Sequence, residues 1–185
     1  IMTDAAALPI ALSGLIRALK AKGLLDLTIT AGQAFGGDLE AVSIPSALLA
    51  AYQGIKPDLI IVSLGPGIVG TGTKFGFSGI EQSWVLDLTT RLGGIPVAVP
   101  RVSFADPRER HRGISHHSLT ILDLANHQAL IGLSASLKGE LLEGIKSRLK
   151  KDNLLDRHQW YLINDTPDAL CLFQEYDLSV TTMGR

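Results

Sequence analysis

The sequence predicts an α/β fold of three layers, a mainly parallel sheet with helices on both faces, in a single domain over residues 1–185. Short apolar runs alternate with segments of helical spacing, the pattern of βαβ units. The run Asp58-Leu59-Ile60-Ile61-Val62-Ser63-Leu64 is continuous rather than alternating, as expected of a parallel strand covered on both faces. Three segments rich in glycine and charge, 31–40, 65–79 and 104–118, each directly follow such a run. Ligands of open α/β sheets bind at the carboxyl ends of the strands, so these segments predict one composite site.

The elements follow in order. Leu8, Leu12, Leu15, Ile16 and Leu19 have helical spacing and predict an amphipathic helix over about 6–22, closed by Gly23. A strand follows at about 25–31. A helix over about 44–54 opens near Ser43, carries Pro45 in its first turn and stops at Gly54. The strand 58–64 is the clearest one. A helix at about 79–92 ends at Gly93-Gly94, and a strand runs from Ile95 to about Val102. Ser115 can cap a helix that begins at the histidine pair and runs to about Ala125. Residues 129–137 fit both templates, and 138–151 read as a lysine-rich surface helix. Residues 160–163 read as a strand, 167–175 as a helix and 178–182 as a last strand. Ile1 precedes Met2, which predicts a fragment lacking an N-terminal region. Ile1-Met2 then reads as the tail of a strand that Asp4 ends.

A length of 185 residues suits one domain with a sizeable core. With 46% hydrophobic and 19% charged residues the chain is globular, not disordered. A net charge of −1 argues against a nucleic-acid partner, which would need a basic excess. Cys171 is the one cysteine, so no internal disulfide forms and a cytoplasmic location is expected. In the run 169–173 it reads as core filler. No membrane span is expected: the apolar stretch near 5–25 is broken by Arg17, Lys20 and Lys22. The same stretch has no basic start and no cleavage site, so it is not a signal peptide.

Gly65-Pro66-Gly67-Ile68-Val69-Gly70 fits G-x-G-x-x-G, but Pro66 and the later glycines break the helix that a dinucleotide site needs. Gly67 to Lys74 approaches a P-loop, but Thr73 displaces the lysine by one position. Two readings remain. A loop of exposed amides at Gly65, Gly67, Gly70 and Gly72, with Thr71, Thr73 and Lys74, can bind an anion. Alternatively the glycines serve a long turn.

Residues 101–117 hold Arg101, Arg108, Arg110 and Arg112 with His111, His116 and His117. Arg108, Arg110 and Arg112 can clamp a phosphate or carboxylate. A histidine can act as general acid or base. Asp106, His111, His116 and His117 can bind a divalent metal, although the spacing matches no standard zinc pattern. Adjacent histidines on a helix diverge by about 100°, so His116 and His117 are expected to differ, one ligating and the other in an outer shell. The plainer reading is a capped helix start with structural histidines and a solvated charged turn. Asp38 and Glu40 alternate with Leu39 and point to one side of an extended segment. They can hold a cation, pair with the arginines or act as a base. Asp38, Asp106 and His116 are the candidate ligands of a metal. His127 and His158 stand alone and read as structural.

The segments 2–9 (MTDAAALP), 29–41 (ITAGQAFGGDLEA), 64–79 (LGPGIVGTGTKFGFSG), 101–120 (RVSFADPRERHRGISHHSLT) and 180–185 (VTTMGR) together resemble the bacterial domain of unknown function 3866 family. The resemblance extends from residue 2 to 185 and is weakest over 121–177. It implies a soluble bacterial protein with an additional N-terminal region, and it assigns no catalytic residue. The functional expectation is thus a small-molecule enzyme or binding protein for an anionic, phosphorylated ligand. In it the 65–74 loop and the arginines hold the anion, a histidine moves protons, and Asp38 or Glu40 orients the histidine or a metal. The alternatives are a metal-dependent hydrolase using Asp38, Asp106 and one or more histidines, and a non-catalytic module whose Arg/His loop is a homo-oligomer interface.

Overall fold

A computed structural model describes residues 1–4, 8–65, 67–164, 171, 174 and 175. The fold is mixed α/β with parallel sheets, in two compact units, one built on Ile1–Gly67 and the other on Ile68–Asp165.

In the first unit β1 (Ile29–Ala31) pairs in parallel with β2 (Leu39–Ala41). Met2 bridges in parallel to Thr30 on one side and Ser63 on the other, as isolated bridges outside the named strands. The expected helix over 6–22 is divided. A 3₁₀ turn at Ile10–Leu12 precedes α1 (Gly14–Ala21), because Ser13 caps α1 by accepting the Ile16 amide. α1 buries no residue fully, and of its apolar side chains Ile16 packs on the cluster of Met2, Ile10 and Ala34. The next helix starts where expected. Ser43 and Ser46 cap each other reciprocally ahead of α2 (Ile44–Leu49), with Pro45 in the first turn. It continues through Gly54 as a π turn, Ala50–Ile55, and ends at Lys56 with φ 57°. Ala47 and Ala51 bury against Ile29 and Ala31.

Residues 58–64 depart from expectation. They form no regular strand among the described residues: Ser63 bridges Met2, and the Ile61 carbonyl accepts from the Ile1 amine at 2.7 Å. Ile60 and Val62 are half-buried while Leu59 and Ile61 are 73% and 64% exposed. The apolar run therefore covers one face, not two.

β1 and β2 are parallel yet joined by only residues 32–38, where such pairs ordinarily need a long crossover. Gly37 permits it. A Cβ there would lie 2.9 Å from the Leu39 carbonyl oxygen and 2.9 Å from the Thr30 nitrogen.

The second unit contains two successive βαβ units. β3 (Val97–Ala98), β6 (Leu130–Ser134) and β7 (Gln159–Ile163) form a parallel sheet in the order β3-β6-β7. Following α3 (Gln82–Arg91), α4 (His116–Leu124) crosses from β3 to β6 and α5 (Gly139–Lys151) from β6 to β7. The short antiparallel pair β4 (Val102–Ser103) and β5 (Gly113–Ile114) leads into α4. Ile131 and Leu133 of β6 join Leu119 and Leu122 of α4 and Ile145 and Leu149 of α5 in the core. β6 alternates between half-buried and buried residues, so one of its faces packs more tightly than the other.

Two polar clips close this core, and both use histidines that read as structural. His158 is buried; its Nδ1 accepts the Ala129 amide at 3.2 Å, so its Nε2 donates to the Leu122 carbonyl at 3.0 Å. Asp87 of α3 accepts the amides of Asn126 and His127, both at 2.8 Å, and the Asn126 side chain at 2.8 Å. Cys171 is exposed, contrary to a place in the core. The helix expected over 167–175, apart from 171, 174 and 175, and the strand over 178–182 lie outside the described residues. No helix among the described residues is long and apolar enough to cross a membrane.

Candidate functional site

The site forms between the carboxyl end of β3 and the amino end of α4. Asp106 fixes the loop that enters it. Its buried carboxylate accepts from Arg101 Nη2 at 2.8 Å and from the Arg108 amide, Nε and Nη2, each at 3.0 Å. These guanidinium bonds hold the Asp106 carboxyl far below the usual carboxylate range. The anchored loop makes a 3₁₀ turn, Glu109–His111, that buries His111. Ser115 then caps α4, and its Oγ lies 2.8 Å from His111 Nδ1 and accepts the His117 amide at 3.3 Å.

The glycine loop closes the other side. It is a hairpin in which Gly70 bridges Phe77 and the Thr71 amide donates to the Gly76 carbonyl at 2.7 Å. The hydroxyls of Thr71 and Thr73 lie 3.0 Å apart and pack over Gly76, where a Cβ would come within 2.1 Å of Thr71 Oγ1. The loop thus delivers Phe77, whose ring stacks on His117 at 4.2 Å and 15°.

His111, His116 and His117 meet here. Their centroids are 4.2 Å apart for His116–His117, 4.8 Å for His111–His116 and 5.1 Å for His111–His117. One ring nitrogen from each lies within 4.8 Å of the others. The expected divergence of His116 and His117 is not seen: from the first two positions of α4 both rings reach the cluster. His116 Nε2 is buried and has no hydrogen-bond partner. Burial lowers the pKa of all three, and neighbouring charge adds to it: Arg110 and Arg108 at His116, Arg108 at His111. His117 falls to about 4, through burial first and then its two histidine neighbours. These shifts favour the neutral imidazole at each of the three.

The remaining sequence candidates are placed as follows. Lys74 pairs with Asp123 at 2.9 Å, and Arg108 is spent on Asp106. Arg110 and Arg112 are exposed and form no ion pair among the described residues. The Gly65 amide donates to the Asp4 carbonyl, and Gly67 and Gly72 have φ of 90° and 82°. Asp38 and Glu40 belong to the first unit and have partners there. Asp38 accepts from Lys20 and from the Thr28 amide and hydroxyl, both at 2.7 Å; Glu40 accepts the Gly36 amide at 2.9 Å. The Lys20 and Thr28 bonds lower the pKa of Asp38. So the partner of Asp38 is a lysine, not an arginine. Phe77 escaped sequence reasoning because nothing local marks an aromatic in a glycine loop as a histidine's neighbour.

The family model described as "Protein of unknown function (DUF3866)" matches residues 1–185, the whole chain. The chain belongs to this family. No curated protein matches this DUF3866 chain, and no solved structure does.

Proposed function

We propose that His111, His116 and His117 hold one divalent transition-metal ion and that the protein is a metal-dependent hydrolase of a small molecule. The convergence of three ring nitrogens within 4.8 Å, together with a buried His116 Nε2 that has no partner, carries the reading. An unmet buried polar atom costs about 1–3 kcal/mol, and coordination removes that cost. A tetrahedral ion at about 2.0–2.1 Å from imidazole nitrogens needs nitrogens about 3.3 Å apart, so nitrogens now within 4.8 Å of one another close by at most about 1.5 Å on binding. Imidazole suits zinc, copper, iron and nickel. Three protein ligands leave a fourth position open, the pattern of catalytic rather than structural sites.

The outer groups fit the same role. For His111 to ligate through Nε2, its Nδ1 carries the proton and donates to Ser115 Oγ, 2.8 Å away. Such partners fix the tautomer of ligating histidines. Phe77 holds the plane of His117. A bound ion supplies Lewis acidity and a water acidified toward neutral pH. With that chemistry, hydrolysis would form the bond from water oxygen to the acyl carbon or phosphorus and break the bond to the leaving group, which would take the proton. Asp38 and Asp106, both candidates from sequence, are given no part in holding the ion, because their oxygens are committed to Lys20 and Thr28 and to Arg101 and Arg108.

The test is zinc titration by calorimetry into tag-free, chelator-stripped protein, followed by assays with p-nitrophenyl acetate and p-nitrophenyl phosphate. One ion per chain and metal-dependent turnover of an ester, both lost in His116→Ala, are expected. A protein that takes up no zinc, manganese, cobalt or nickel overturns the proposal.

A further inference from the structure

His116 faces two ways. Its ring belongs to the histidine cluster, and it also lines a cavity of about 400 Å³ formed by the glycine hairpin, α4 and the end of α5. That volume lies in the range of small-molecule sites. Leu119 gives the wall an apolar patch. The charges are unequal. Lys74, Arg148 and Lys151 line the cavity against Asp123 and Asp152. Asp123 is engaged by Lys74 at 2.9 Å and, from outside the lining, by Arg157 at 3.2 Å. Asp152 is engaged by Arg148 at 2.8 Å. Lys151 has no ion-pair partner among the described residues. Both carboxylates are thus neutralised within the wall and one cation is left over. A ligand completes the balance by bringing one negative group.

We infer that this cavity is the substrate pocket and that its substrate is a small organic molecule bearing a phosphate or carboxylate group, held by Lys151 with Lys74 beside it, so that the bond to be cleaved lies at His116. The inference rests on the metal-dependent reading for its chemistry, but the pocket and its charge stand apart from the metal. The sequence expectation of an anionic ligand is kept while its holders change: Lys74 stays, Lys151 enters, and Arg108 is released to Asp106.

Calorimetric titration of phenyl phosphate and benzoate, with inorganic phosphate beside them, into zinc-loaded and metal-free protein tests this, using wild type, Lys151→Ala and Lys151→Glu. Lys151 is an exposed residue of the last turn of α5, so both variants keep the core. Wild type is expected to bind at least one organic anion more tightly than inorganic phosphate. Lys151→Ala is expected to weaken that binding about tenfold, the scale of one charge-assisted hydrogen bond. Lys151→Glu is expected to abolish it, with zinc affinity unchanged in both. Binding equal in all three proteins, or no anion binding by wild type, overturns the pocket whatever the metal does. Lys151-dependent binding in a protein that takes up no metal sustains the pocket and overturns the metal reading instead.

Discussion

Replacing His158 gives a sharp test of how the second unit is held together. Its imidazole joins the carboxyl end of α4 to the start of β6, with Nδ1 accepting the Ala129 amide and Nε2 donating to the Leu122 carbonyl. His158→Ala leaves a buried N–H and a buried C=O without partners, each costing about 1–3 kcal/mol. With partial relief by water, the expected loss is about 3 kcal/mol, or a fall in Tm of about 6–12 °C for a chain of this length. His158→Gln, which keeps one donor and one acceptor, is expected to lose about half as much. The pH dependence follows from the same geometry. Burial lowers the His158 pKa; the Leu122 bond opposes this and the charge of Arg157 adds to it. The folded pKa lies below the unfolded value near 6.5, so the neutral-histidine contribution is complete above about pH 6.5 and is lost as pH falls through the folded pKa. The stability gap between wild type and His158→Gln is therefore expected to narrow from pH 7 to pH 5. Urea unfolding in a chelator, followed by tryptophan fluorescence, reads it. Both tryptophans, Trp84 and Trp160, lie in the second unit, and Trp160 Nε1 donates to the Leu154 carbonyl there. A His158→Ala protein within about 0.5 kcal/mol of wild type, or a gap that widens toward low pH, refutes the reasoning.

The other predictions concern the first unit and the histidine cluster. Gly37→Ala is expected to destabilise the β1–β2 connection by about 1–3 kcal/mol, since the added carbon meets backbone rather than yielding side chains; thermal melting by circular dichroism measures it, and an unchanged melt counts against the tight-approach argument. Ser115→Ala is expected to reduce zinc affinity about 10–100-fold by freeing the His111 ring, read by competition with a chromophoric chelator. Zinc affinity is expected to fall with pH only below the ordinary histidine range, because the lowered histidine pKa values, His117 at about 4, weaken proton competition. A decline centred near the ordinary histidine pKa of about 6.5 would contradict it.

Local chemistry was legible in the sequence where one or two neighbouring residues decide the outcome. Ser43 with Pro45, and Ser115 before the histidine pair, marked two helix starts correctly. The pairing of Met2 with neighbouring extended chain was legible too. What escaped depends on contacts distant in sequence. The run 58–64 has the composition of a two-faced strand, yet its one bridge among the described residues is that of Ser63 to Met2, and Leu59 and Ile61 stay exposed. The 100° rule separated His116 from His117, but in the fold their rings lie 4.2 Å apart, with Phe77 stacked on His117. Arg108 and Asp106 each read as a ligand-binding group; two residues apart in the chain, they bind each other. The loop 65–74 read as an anion loop ahead of a plain turn, and only the fold shows that the Thr71 amide donates to the Gly76 carbonyl and that the Thr71 and Thr73 hydroxyls meet. Lys151, on a helix that read as plain surface, gains its meaning from a cavity no local pattern announces.

X-ray absorption at the zinc edge of the loaded, tag-free protein tests the central claim most directly. Three imidazole nitrogens and one further light atom at about 2.0–2.1 Å are predicted, with one imidazole lost in each of His111→Ala, His116→Ala and His117→Ala. A shell with sulfur at about 2.3 Å, or a zinc spectrum that none of the three substitutions changes, would contradict the account.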